Sequence, residues 1–261
     1  MRPLDRLARR LIFRRHETLH HPDQTTFELR TGSQVLRGWV TNPAADRALV
    51  YFGGNSEDTS GWRHLLTGKL PGRATYLVAY RGYGASTGVP SEPDLVADGR
   101  ALVAHVLQEH THVSVLGRSL GSGVAVQVAS APDLANEIEG LVLVTPFDSL
   151  GRVVRSMARG LPVDWLFSDR FRSDRHIEGV HAPVLVLRAG RDTVVRPDST
   201  DRLVRRLAPS ARVIDFPLAD HRTISVEHGY WRALQRFLGE RVTFERPEDR
   251  AHESAWILEG E

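Results

Sequence analysis

The sequence predicts an α/β domain: a mainly parallel sheet with helices on both faces. Three observations carry that expectation. From about residue 48 onward, short apolar runs alternate with segments of helical period. Those runs are apolar throughout rather than at every second residue, as strands buried on both faces require. Several of them end directly in loops bearing glycine, serine, aspartate or histidine, and parallel sheets gather their binding groups at such strand ends. A chain of 261 residues is long enough to bury one such core.

The elements follow in order. In residues 4–16, Leu4, Leu7, Ala8, Leu11 and Ile12 share one helical face, and Arg2, Arg6, Arg9, Arg10, Arg14 and Arg15 cover the rest. Two readings follow: a basic amphipathic helix resting on an anionic membrane surface, or an N-terminal helix packed on the domain with its arginines in solvent. Thr25–Thr31 and Gln34–Val40 alternate around Gly32-Ser33 and predict an antiparallel hairpin. Ala48–Phe52 and Ala74–Tyr80 are buried-type strands. Ser91 and Asp94 form a capping pattern that opens a helix running to about His110, with Leu95, Leu102, Val103, Val106 and Leu107 on its inner face. Val113–Leu116, Leu141–Val144, Pro183–Ala189 and Arg212–Phe216 complete the strands. Helices are expected over about Pro197–Leu207 and Ile224–Leu238. Residues 150–180 lose the alternation and carry Met157, Leu161, Trp165, Leu166, Phe167 and Phe171 among arginines. They read as a small cap over the strand ends, whose apolar residues line a pocket or simply bury against the domain. The expected organisation is therefore residues 1–24 as a basic helix and linker, 25–239 as the domain, and 240–261 as a charged tail.

Composition excludes several classes. With no cysteine, there are no disulfides, thiolate metal sites or cysteine nucleophile. The net charge is only +2 and Lys69 is the sole lysine, so the arginine content reads as codon usage and no nucleic-acid partner is expected. There is no run of 18 apolar residues, and Arg9 and Arg10 interrupt what would be the apolar core of a secretory signal. A cytoplasmic protein is expected, membrane-peripheral only if residues 4–16 make that contact. His20-His21 lacks nearby companions for a metal and reads as surface.

The chemistry centres on Gly117-Arg118-Ser119-Leu120-Gly121. It follows the apolar run Val113–Leu116 and opens the small-residue segment Ser122–Val126. A serine between two glycines at a strand-to-helix turn is the nucleophile elbow of α/β-hydrolases. The strained turn leaves no room for side chains two positions before and after the serine. The pattern is short, so its context decides. Ser119, Asp192 and His221 each stand at the end of a predicted strand, in the chain order Ser, Asp, His of that fold. His221 is suited to take the serine proton, and Asp192 to orient the imidazole. Gly53-Gly54-Asn55 follows the strand Ala48–Phe52. Its Asn55 N–H, with the Leu120 N–H, is the expected oxyanion hole. Asp148 also ends a strand and competes with Asp192 as the acid. Asp220 adjoins His221 but diverges from it. His228 is expected inside the last helix, and Asp169 and Asp174 as solvated charges in the cap. No metal and no organic cofactor are expected.

Several stretches together resemble the Bem46-like α/β-hydrolases, a group that includes depalmitoylating hydrolases: Tyr80–Gly88, Pro90-Ser91-Glu92, Gly117–Gly121, Thr145–Leu150, Pro183–Val195 and Ala219–Ile224. The resemblance spans roughly residues 26–238 and implies a serine hydrolase of esters, thioesters or amides with Ser119, Asp192 and His221 as its triad. Gly53 stands where the family's loop has histidine, and Tyr80 where it commonly has aspartate. A small or acylated substrate is implied. The rival expectation is a non-catalytic binding protein on the same fold, which has no need of three matched strand-end residues.

Overall fold

The computed structural model describes residues 13–14, 18–157 and 168–240. Eight strands form one sheet: β1 (Phe27–Thr31), β2 (Gln34–Thr41), β3 (Arg47–Phe52), β4 (Arg73–Val78), β5 (His112–Arg118), β6 (Ile138–Val144), β7 (Val184–Ala189) and β8 (Arg212–Phe216). Their order is β1-β2-β4-β3-β5-β6-β7-β8. β1 and β2 make the expected antiparallel hairpin, turning at Gly32 with φ +59°. β2 is antiparallel to β4, and every neighbour from β4 to β8 is parallel.

Helices are α1 (Trp62–Lys69), α2 (Glu92–Glu109), α3 (Leu120–Ala129), α4 (Leu150–Met157), α5 (Ser173–His176), α6 (Pro197–Val204) and α7 (Tyr230–Leu238). The strands send alternate residues to opposite faces. Val50 and Val115 pack with Leu95 and Val103 of α2 and Val124 of α3, whereas Leu49 and Leu116 pack with Leu66 of α1 and Trp231 and Leu234 of α7. Both faces of the central strands are therefore covered, which is why their sequences are apolar throughout.

Strand order reverses beside β3. The chain leaves β3 towards β4 on one side and returns to β5 on the other. Loops after β3 and β5 thus diverge from neighbouring strands and leave a crevice at their carboxyl ends, where α/β sheets place ligands. Gly121 of α3 makes that approach possible. A Cβ there would lie 2.0 Å from the Phe52 carbonyl oxygen, and one on Gly117 would lie 2.4 Å from the Gly121 oxygen. Backbone atoms on both sides cannot yield cheaply. Gly121→Ala should therefore cost about 3 kcal/mol or more, at the upper end of overpacking effects, read as a lower urea midpoint. Gly32→Ala meets nothing within 4 Å, and should lose only about 1–2 kcal/mol for its left-handed φ.

Three regions differ from the sequence-based expectation. α1 has no counterpart there, because it is short and carries Gly68. The expected helix Ile224–Leu238 is broken: Thr223–Val226 is a single 3₁₀ turn, Gly229 takes φ +90°, and α7 starts at Tyr230. His228 accordingly lies in the link rather than in a helix. Asp169 and Asp174 are buried rather than solvated. Asp169 accepts the Glu92 N–H at 2.8 Å and so helps Ser91 cap α2, while Asp174 pairs with Arg172 and Arg152. Of the expected cap, Phe171 is buried against Gly123, and Leu161, Trp165, Leu166 and Phe167 lie outside the described residues.

Asp148, in the loop after β6, has its carboxylate fully buried between Arg202, Arg152 and the Ser199 hydroxyl. Burial works against its charge, but hydrogen bonds from Arg202, Ser199 and Arg152 prevail and hold the group below the usual carboxylate range. Because the folded value lies below the unfolded one, this stabilisation is complete above the unfolded pKa of about 3.9 and fades as pH falls through the folded value. Urea midpoints should therefore drop below about pH 4, and less steeply in Asp148→Asn.

Candidate active site

Ser119 follows β5 with φ 51° and ψ −117°. A serine seldom occupies this region, and its surroundings hold it there. Its N–H donates to the Val144 carbonyl at 3.0 Å. Its own carbonyl accepts from the Ser122 N–H at 2.9 Å and the Ser122 hydroxyl at 2.6 Å. The elbow is thereby tied to β6 on one side and to α3 on the other. Leu120 is the first residue of α3, so its N–H has no acceptor within the helix.

β7 and β8 deliver the other two groups. Gly190 N–H donates to the Phe216 carbonyl and Arg191 N–H to the Ala219 carbonyl, which stitches the two loops together. Asp192 Oδ1 accepts the N–H groups of Val194 at 2.9 Å and Val195 at 2.8 Å. Its Oδ2 lies 2.7 Å from His221 Nδ1. On the far side of the ring, His221 Nε2 lies 2.8 Å from Ser119 Oγ. The carboxylate can only accept, so Nδ1 carries a proton; in the neutral ring Nε2 is then left as the acceptor for the serine hydroxyl. The structure thus joins Ser119, His221 and Asp192 in one hydrogen-bonded line.

Asp148, the competing acid, is spent on Arg152, Arg202 and Ser199. Asp220 turns back on its own loop, where its Oδ1 accepts the Arg222 and Thr223 N–H groups.

Beside the elbow runs the loop after β3. A Cβ on Gly54 would stand 3.6 Å from that of Ser119. Asn55 is held through its side chain, whose Oδ1 accepts from the Tyr83 hydroxyl at 2.8 Å and the Arg14 N–H at 3.1 Å. Phe13, the neighbour of Arg14, is buried in the core. The rest of residues 4–16 lies outside the described residues. Tyr80, where the resembled family commonly has aspartate, donates its hydroxyl to the Gly53 carbonyl at 2.8 Å.

Sequence reasoning missed Glu57. Its Oε1 accepts the Tyr51 hydroxyl at 2.5 Å and the Trp62 indole N–H. Its Oε2 accepts the Gly54 N–H and, at 3.3 Å, Arg118 Nη1. Arg118 also donates from Nη2 to the His221 carbonyl at 3.1 Å and lies over the Trp62 ring at 5.9 Å. Burial works against the guanidinium's charge, but Glu57, together with Tyr51 and Tyr230, outweighs it, and Arg118 stays protonated. Burial, reinforced by the Glu57 carboxylate, pushes the Tyr51 hydroxyl well above the usual tyrosine range, so it remains a donor. An acidic residue three positions beyond two glycines was the available signal, but its partners come from three separate elements.

Among the described residues no helix is long and apolar enough to cross a membrane. The family described as serine aminopeptidase, S33 matches residues 44–171. An uncharacterised protein of Mycobacterium tuberculosis is 34% identical over 216 residues, 78% of this chain and 75% of that protein. Protein bem46 of Schizosaccharomyces pombe is 26% identical over 178 residues, covering 63% of this chain and 57% of its own length. The lysophosphatidylserine lipase ABHD12 of Danio rerio is 32% identical over 166 residues, 56% of this chain and 44% of the lipase. A Pyrococcus furiosus esterase structure superposes with a TM-score of 0.64 at 21% identity, over 82% of this chain and 90% of that one, a likeness of fold. Its sheet, its strand-end residues and these relatives together identify the chain as a member of the Bem46-like α/β-hydrolases.

Proposed function

We propose that the protein is a serine hydrolase that cleaves carboxylic esters, and by the same chemistry thioesters or amides, through an acyl-serine intermediate. The observation that carries this reading is the continuous line from Ser119 Oγ through both nitrogens of His221 to Asp192, with 2.8 Å and 2.7 Å contacts. A binding protein has no use for such a line.

A serine hydroxyl attacks poorly until a base removes its proton. His221 Nε2 takes that proton as Oγ bonds to the substrate carbonyl carbon. Asp192 stabilises the resulting imidazolium. The negative charge passes to the carbonyl oxygen, where the N–H groups of Asn55 and Leu120 receive it. Each such donor is typically worth about 3 kcal/mol in the transition state. The Gly54 N–H is occupied by Glu57, which leaves this task to Asn55 on that loop. As the tetrahedral species collapses, the leaving alcohol, thiol or amine takes its proton from His221. A water molecule then repeats the cycle: His221 removes its proton, the hydroxide attacks the acyl carbon, and Ser119 Oγ leaves with the proton returned. The products are a carboxylic acid and free enzyme.

Esters are the favoured class, and the lipase among the relatives supports an acylated small molecule as substrate. This reading needs no cofactor and no nucleic-acid partner. We further propose a cytoplasmic location, with residues 4–16 as a peripheral contact to a membrane surface. Flotation with anionic liposomes tests that contact, and binding unchanged by deletion of residues 1–21 would overturn it. The function itself is tested with p-nitrophenyl esters of graded acyl length. Turnover that depends on chain length and falls by about 10⁵-fold in Ser119→Ala is expected; no turnover of any ester or thioester speaks against the reading.

A further inference from the structure

Glu57 and Arg118 sit outside the hydrogen-bonded line, yet they touch both of the loops that complete it. The Glu57 carboxylate receives four donors, two on each oxygen: Tyr51 and Trp62 on Oε1, Gly54 and Arg118 on Oε2. A carboxylate has about four acceptor sites, so this one is saturated. Its side chain is 10% exposed and that of Arg118 is 14% exposed. Removing one partner from such a pair leaves a buried charge without compensation.

The connections decide what the pair does. Gly54 immediately precedes Asn55, so the bond from its N–H to Glu57 fixes the Gly53–Gly54 peptide plane, one step before the plane that carries the Asn55 N–H. Arg118 immediately precedes Ser119 and reaches the backbone carbonyl of His221. One buried ion pair therefore joins the loop after β3, the last residue of β5 and the loop after β8. We propose that Glu57 and Arg118 are positioning residues that lock the Asn55 loop and the His221 loop into register around Ser119. The inference rests on the serine hydrolase reading above and adds to it two residues that never touch the substrate. Ordinary core packing would hold each loop separately; this arrangement holds them to each other.

Glu57→Gln is a sharp probe. Trp62, Gly54 and Arg118 are obligate donors, and they face both oxygens. Whichever way the amide is turned, its NH₂ meets one of them. Loss of a single oxyanion donor typically lowers kcat by about 10²–10³-fold. Glu57→Gln should lower kcat for p-nitrophenyl butyrate by about 10²-fold with KM changed less than about threefold, since the displaced N–H acts in the transition state. Arg118→Lys keeps the charge but not the fork that spans Glu57 and the His221 carbonyl. It should lower kcat by about tenfold, and amide exchange should rise together over residues 53–58 and 219–223. Tyr51→Phe removes one donor and leaves the other three. It serves as the milder variant should Glu57→Gln not fold, with a kcat loss of severalfold expected.

The two failures look different. If the parent protein neither turns over esters nor reacts with a fluorophosphonate, the serine hydrolase reading fails, while exchange in Arg118→Lys still reports whether the loops are linked. If the parent is active but folded Glu57→Gln or Tyr51→Phe keeps kcat within twofold, the positioning role is wrong. It is equally wrong if exchange in Arg118→Lys rises in only one of the two loops.

Discussion

Ser119→Ala is expected to lower kcat for ester hydrolysis by about 10⁵-fold, or about 7 kcal/mol of transition-state stabilisation. The loss is large because the hydroxyl is the bond-forming atom and the rest of the site cannot replace it. The variant should fold normally. The strained φ of 51° at this position is imposed by Gly117, Gly121 and the bonds from Ser122, and alanine bears that backbone no worse than serine. A residual rate above that in buffer is expected, since the variant keeps the Asn55 and Leu120 N–H groups proposed as the oxyanion hole. Stopped or burst kinetics on a p-nitrophenyl ester will measure it. A Ser119→Ala variant within tenfold of the parent would place the nucleophile elsewhere.

Asp192→Asn is expected to lower kcat by about 10⁴-fold with little change in stability. The reason can be read from the two carboxylate oxygens. Oδ1 accepts two backbone N–H groups, from Val194 and Val195. In the asparagine variant the carbonyl oxygen must take that place, because an NH₂ there would face two donors. The NH₂ then points at His221 Nδ1. That nitrogen is forced to accept, the ring proton moves to Nε2, and Nε2 can no longer receive the serine proton. The geometry survives while the tautomer is wrong. The expected signature is a loss in kcat with KM held within a few-fold and a melting temperature close to the parent's. Asp148→Asn should behave in the opposite way. Its carboxylate is bound to Arg152, Arg202 and Ser199, so stability should fall while the folded fraction keeps its activity. An equal loss of kcat in both variants would contradict the assignment of Asp192.

The parts of the fold that were legible in the sequence share one property: their signal is local. The strands from β3 to β7 are short runs buried almost throughout, and such burial leaves few polar residues to blur them; the edge strand β8 is largely exposed and shows only a short Val213-Ile214 signal. The β1–β2 hairpin shows its alternation and its Gly32 turn. Gly117 and Gly121 were readable because backbone atoms crowd the positions their side chains would fill. Helix α1 was not readable, since eight residues with a glycine give too few periodic positions. The break before α7 hinges on the backbone of Gly229, which no periodicity reveals.

In the site, Ser119, Asp192 and His221 could be chosen from strand ends and chain order. Glu57 and Arg118 could not, because their meaning depends on partners from β3, α1 and the loop after β8. Asp169 and Asp174 looked solvated for the same reason. Their hydrogen-bond partners include Glu92, which precedes Asp169 by 77 residues, and Arg152, which precedes Asp174 by 22. Tyr80 departs from the aspartate common in the resembled family, and its hydroxyl on the Gly53 carbonyl shows how the loop is held with tyrosine in that place.

Covalent labelling decides whether Ser119 is an activated nucleophile. The intact protein should react with a fluorophosphonate to give one adduct, which peptide mapping assigns to Ser119, and Ser119→Ala and His221→Ala should not react. An intact protein that stays unlabelled beside a reactive esterase control, or one that carries its adduct on another residue, contradicts the account.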